Sequence, residues 1–176
     1  MSNRQSSRIG IIGHTLPAMV ALAVGLGAAA SATVLNVDGS AGCSDVTGTP
    51  YCTIQAALNA AANGDTLSVA AGTYNESPNV TKSVVVQSVS GRDATFINLQ
   101  TGPTYLGSLT IGGANVTVDG FTIVGFDAVG NGLASTNILL NAGLGTVVVS
   151  NNRLQVGNPG VGSNGDDGMG LLTTYD

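Results

Sequence analysis

From Thr53 onward the apolar residues follow two successive rhythms. Ile54, Ala57, Leu58 and Ala61 are spaced i, i+3, i+4 and i+7, one stripe at helical period. Thr53 stands before them with a side-chain oxygen able to accept from the free N–H groups of a first turn. Asn63-Gly64 follows, and glycine tolerates the left-handed conformation that ends many helices. The pattern predicts a helix over Ile54 to Ala62. From Asp65 the period changes to two, with Leu67 and Val69 alternating with Thr66 and Ser68. Ala71-Gly72 breaks that strand, and Tyr74 supplies an aromatic anchor beyond it. On spacing alone this is also the pattern of an ordinary αβ unit.

The rest of the chain reads as strands with no second good helix. Val84-Val85-Val86, Ala94 to Ile97, Leu109 with Ile111, Val116 with Val118, Phe121 with Ile123, Ile138 to Leu140 and Val147 to Val149 form the series. Gly, Asn, Asp and Ser fill the gaps and supply turns. Val116-Thr117-Val118-Asp119-Gly120 with Ile123 aligns at one constant offset with Val147-Val148-Val149-Ser150-Asn151 and Leu154, an internal echo. Both copies place β-branched residues on one face and Gly or Asn at the following corner.

The block Thr53-Ile54-Gln55-Ala56-Ala57, then Gly64-Asp65-Thr66, then Gly72-Thr73-Tyr74 and Glu76, resembles the opening of secreted right-handed parallel β-helix proteins, the pectin-lyase-like group. The resemblance implies an all-β fold, a right-handed parallel β-helix (solenoid) over residues 53–176, with Ile54 to Ala62 as an N-terminal capping helix. An uncovered first coil would expose apolar core and unpaired strand edges. Stacked coils suit Val, Ile, Leu and Ala at inward positions, and corner Asn side chains can bond to the neighbouring coil. Residues 66–176 would make four to five coils at roughly 20–30 residues each. A β-sandwich is the rival, since it also uses short strands at regular spacing. It does not call for a leading helix, and its usual buried Trp is missing.

Residues 1–32 read as an export signal. Arg4 and Arg8 make a basic start, Pro17 to Ala30 is an apolar run, and Ala30-Ser31-Ala32 fits a small-residue cleavage site. The run from Pro17 is short for a membrane span of about 20 residues. Ser40-Ala41-Gly42-Cys43 fits a lipoprotein site poorly, lying well past the apolar run. The expected address is secreted, extracellular or cell-surface, with the periplasm as a further option. Residues 33–52 form a lead-in segment in which Cys43 and Cys52 close a small polar loop, and in an exported chain such a pair reads as a disulfide. Gly168 to Asp176, GMGLLTTYD, ends in what reads as the middle of a strand with no covering segment, so the solenoid is expected to be truncated.

Charge and composition bound the function. Only 9% of residues are charged, and there are 26 Gly and no Trp. Loss of Arg4 and Arg8 with the signal leaves Lys82, Arg92 and Arg153 against ten carboxylates, a net charge of −7. Such a surface argues against nucleic acid and anionic membrane as partners, and no membrane span is expected after signal removal. It permits Ca²⁺ or neutral sugars, although no cofactor is called for. Arg153 follows Asn151-Asn152 and reads as a solvent-facing corner. The single histidine, His14, lies in the signal, so the mature chain offers none for catalysis or metal binding.

Asp166-Asp167 is the one adjacent carboxylate pair and the candidate for catalysis. Inverting glycosidases hold two carboxylates roughly 6.5–9.5 Å apart. Gly165-Asp166-Asp167 is similar to a fragment of polygalacturonases, but their histidine and Arg-x-Lys signatures are absent, and Asp-Asp-Gly is also an ordinary turn. Asp119-Gly120-Phe121 and Phe126-Asp127-Ala128 are similar to strand segments of pectin methylesterases, whose catalytic motifs are not found. Asn75-Glu-Ser, Asn79-Val-Thr and Asn115-Val-Thr fit the glycosylation pattern. Two functions are expected from these features. One is a secreted or cell-surface scaffold, adhesin or polysaccharide-binding module, with an extracellular polysaccharide or cell-surface glycan as partner. The other is a carbohydrate-active enzyme of the pectin-lyase type, with Asp166 and Asp167 in its site.

Overall fold

The protein is described from a computed structural model of the unit Ser31–Asp176. It covers residues 31–40, 42–98, 107–125, 136–141, 143 and 145–155, and the backbone of 169–173. Residues 1–30 of the expected signal over residues 1–32, Phe126-Asp127-Ala128 and the pair Asp166-Asp167 lie outside the described residues.

The fold is mostly β, with parallel sheets and one short helix. In chain order come β1 (Val34–Val37), α1 (Ile54–Ala60), β2 (Thr66–Val69), β3 (Gly72–Tyr74), β4 (Asn79–Val80), β5 (Val85–Ser88) and β6 (Thr95–Asn98). Then follow β7 (Leu109–Ile111), β8 (Val116–Asp119), β9 (Thr122–Val124), β10 (Thr136–Leu140), β11 (Val147–Ser150), β12 (Arg153–Gln155) and β13 (Met169–Thr173). The sheets have the orders β1-β2-β5-β8-β11, β3-β6-β9-β12 and β4-β7-β10-β13. From β2 onward each strand pairs with the strand three places along, and every ladder among the described strands is parallel. A sandwich of antiparallel strands is therefore not what forms.

Val34 pairs with Thr66, Thr66 with Val85, Val85 with Thr117 and Val116 with Val147. These steps along the chain are nearly equal except for the one from Thr66 to Val85, which is much shorter. The internal echo is real register, since Val116, Val118, Asp119 and Ile123 pair with Val147, Val149, Ser150 and Leu154. The corner after β8 and β11 needs left-handed backbone. Gly120 supplies it with φ 82 and Asn151 with φ 54, the two residue types that adopt it most readily.

Parallel sheets covered on both faces read as continuous apolar runs. Strands β2, β6 and β8 alternate instead, turning one face inward and the other outward, whereas β7 is buried at all three of its positions. Leu67, Val86 and Val118 on the first sheet, Ile97 and Ile123 on the second, and Val80, Ile111 and Ile138 on the third belong to one buried cluster. Each such side chain stabilises by roughly 1.5–3 kcal/mol relative to exposure. Polar residues also follow the register. At the start of the third sheet's strands, Ser108 Oγ donates to the carbonyl of Val124, and Asn137 Nδ2 donates to those of Ile123 and Gln155.

The helix is shorter than its pattern predicts. It ends at Ala60, and Ala61 is already extended with ψ 152. The cause lies outside the helix. Lys82 Nζ donates to the carbonyls of Leu58, Asn59 and Ala61 at 2.9, 2.8 and 2.6 Å, and Asp65 accepts from the N–H of Ala62 at 2.7 Å. Gly64, with φ 95, then serves a separate turn whose N–H donates to Ser83. The buried stripe holds Ile54, Ala57 and Leu58, and α1 packs against β1, β2 and β4. The sheet starts earlier than the pattern suggests, since β1 lies in the lead-in segment. Likewise, Gly72–Tyr74 is a strand, turned out of line by the corner at Ala70-Ala71 rather than ended by it.

Corner asparagines join neighbouring turns of chain through backbone. Asn63 Oδ1 accepts from Ser83 N–H, and Asn115 Oδ1 from Thr146 N–H. Asn152 accepts from Phe121 N–H and donates to the Val118 carbonyl.

Candidate functional site

The site is built from the lead-in segment and the outer face of the first sheet. Cys43 and Cys52 form the disulfide, with Cα atoms 5.0 Å apart. Beyond Cys43, the N–H of Ser44 donates to the Pro50 carbonyl and Ser44 Oγ accepts from Thr47. Asp45 receives the N–H groups of Cys52 and Thr53 at 2.7 and 3.0 Å. Tyr51 docks the loop on β1, donating its N–H to Asn36 and accepting from Asp38 N–H at 2.9 and 2.8 Å. A Cβ on Gly48 would run into the Tyr51 ring, so glycine lets the loop fold back over it.

This loop overhangs the sheet and leaves an open cleft of about 490 Å³. Gly48, Thr49 and Pro50 form one wall, and Asn36, Ser68, Ala70 and Val89 line the sheet side. Asp38 borders this cleft and a second one of about 260 Å³ beside Thr73 and Tyr74. Burial pushes the Tyr74 phenol up, and its O–H donates to the Ala70 carbonyl at 3.1 Å.

Two outward rows run across the sheet from this cleft. One is Asn36, Ser68, Gln87, Asp119 and Ser150, and the other is Val34, Thr66, Val85, Thr117 and Val148. Among the described residues, Asn36, Ser68 and Gln87 make no side-chain hydrogen bond. Asp119 Oδ1 accepts from Ser150 Oγ and Asn151 Nδ2, both at 2.7 Å.

Two carboxylates serve the backbone. Glu76 accepts from the N–H groups of Ile54 and Gln55 at 2.7 and 2.9 Å, at the start of α1. Burial raises its carboxyl above the ordinary 4.5, against the pull of those two N–H donors. Asp65 accepts from Ala62 and Thr33 N–H groups, and these hold its carboxyl below the ordinary 3.8. Arg153, which reads in sequence as a solvent-facing corner, opens strand β12 and pairs with Asp93 at 2.7 Å, an exposed bridge between distant parts of the chain. Arg92 is exposed in the turn after β5.

Of the residues singled out from sequence, Cys43 and Cys52 meet. Asp119 faces outward while Phe121, two residues on, is fully buried. Asn75, Asn79 and Asn115 are exposed, though Asn115 uses its carbonyl oxygen on Thr146. Among the described residues no three of His, Cys, Asp and Glu gather as a metal-holding group, and no helix is long and apolar enough to cross a membrane. The row Asn36-Ser68-Gln87 escaped sequence reading because the step from Asn36 to Ser68 is much longer than that from Ser68 to Gln87, a spacing no periodic search links. The disulfide is consistent with an oxidising, extracellular setting. No family model, curated protein or solved structure matches the chain.

Proposed function

We propose that the chain is a secreted or cell-surface protein whose three sheets are the faces of a right-handed parallel β-helix, as in the pectin-lyase-like group, and that it works as a scaffold or polysaccharide-binding module. The fold part is supported by the three-strand pairing interval and by the shared core, and right-handed crossovers are the rule for parallel strands. One observation carries the functional part. Asp45, Asp65, Glu76 and Lys82 are committed to backbone groups, whereas Asn36, Ser68 and Gln87 stand on the sheet's outer face with their side-chain polar atoms open to a ligand. That is a surface for holding a polar polymer, with amides and hydroxyls in place of an acid–base pair.

A glycan array tests this reading, with retention of the protein and unaltered glycan length as the expected result. Release of product from pectin or a related uronan, abolished by Asp166→Asn, would replace it with the enzymatic reading.

A further inference from the structure

We infer that the outer face of the β1-β2-β5-β8-β11 sheet, entered through the cleft under Gly48–Pro50, binds a neutral glycan rather than a uronan. The inference rests on the glycan-binding reading and names the ligand class and the face.

The first argument is geometric. Asn36, Ser68, Gln87, Asp119 and Ser150 stand one per strand in continuous parallel register. At the usual strand spacing of 4.7–4.9 Å the row is about 19 Å long. Beside it runs Val34, Thr66, Val85, Thr117 and Val148, a strip of methyl groups whose end residues are 64% and 44% exposed. One row offers amides, hydroxyls and the Asp119 carboxylate, and the other offers apolar contact. A neutral glycan chain has the same division between hydroxyl edges and C–H faces. A globular partner would not need so linear a row.

The second argument is charge. Asp38 borders the cleft and Asp119 stands in the row, and both are acidic. Neither row contains an Arg or Lys that could receive a carboxylate sugar. Lys82 is held by three helix carbonyls, Arg153 by Asp93, and Arg92 stands in the turn beyond β5. A uronan laid along the row would meet like charge without a compensating Arg or Lys.

The test is affinity electrophoresis of the full chain through gels containing mixed-linkage β-glucan, xylan, galactomannan or polygalacturonate. At least one neutral polymer should retard the protein, with little change on adding salt or a chelator. The double variant Asn36→Ala with Gln87→Ala should weaken that retardation about tenfold, the effect of losing two ordinary hydrogen bonds. Its unfolding midpoint should match the parent's, because neither side chain has a hydrogen-bond partner among the described residues. Neutral-glycan retention that the double variant leaves intact overturns the assignment of this face. Retardation by polygalacturonate alone overturns the neutral class while leaving glycan binding in place. Retardation by none of the four polymers overturns this inference, and a negative glycan array would then remove the wider reading as well.

Discussion

At Lys82 a single ammonium group closes a helix to which it does not belong. The last turn of α1 contains no basic residue, so its carbonyls have no cation of their own. Lys82 arrives from the segment after β4 and donates to three of them. A cation there also meets the negative end of the helix dipole. Lys82→Met keeps the length of the side chain and removes the donors. It should destabilise by about 1–3 kcal/mol, read as a lower urea midpoint. An unchanged midpoint would mean that water serves those carbonyls equally well. Asn137 shows the same pattern less completely. It is fully buried and its Nδ2 serves two carbonyls, yet its Oδ1 has no partner among the described residues. The two carbonyls that Asn137 satisfies offset the burial of its amide.

Helix α1 has seven residues, too few to persist alone in water. Thr53 Oγ1 accepts from Ala56 N–H as its sequence position promised, and the rest of the support is tertiary. Glu76 takes the first N–H groups and Asp65 the N–H just past the end. These two carboxyls give opposite pH responses. Asp65 is shifted below 3.8, so the unfolded chain binds the proton more readily. Its contribution is present above that value and is lost as pH falls through the lowered one. Glu76 is shifted above 4.5, so the folded chain holds the proton more readily, and stability declines as pH rises through that window. Urea midpoints from about pH 2 to 7 should show Asp65→Asn flattening the acid limb and Glu76→Gln flattening the decline above 4.5. Slopes that match the parent's in both variants would refute the assignment.

Across the whole molecule, the disulfide and the register act at opposite ends of the length scale. Cys43–Cys52 joins two residues close in sequence and pins the loop that walls the cleft. Replacing both cysteines by serine should cost about 2–3 kcal/mol from loop entropy, measured by urea unfolding. If the loop shapes the cleft, the same variant should also weaken glycan retardation; full retention would separate the loop from binding. Register holds everything else together. Three sheets deliver Leu67, Ile97 and Ile111 to one core, though these residues belong to three strands that never pair with one another.

Much of this was legible in local pattern. The helix stripe, the cap at Thr53, the alternating strands and the echo between Val116 and Val147 all rest on interactions within a few residues or on a repeat of constant length. The close cysteines belong to the same class. The early strand β1 was harder to see, because Val34-Leu35-Asn36-Val37 is short and only its last residue is deeply buried. Tertiary structure alone decided where the helix stops, which cation closes it, and that Arg153 meets Asp93. It also decided that Asn36, Ser68 and Gln87 form a row. The physical reason is the same in each case. Sequence encodes which residues can alternate, cap or turn, but side chains from separate strands become neighbours only when pairing sets the register. The short step from β2 to β5, among the longer steps before and after it, hides that register from any fixed period.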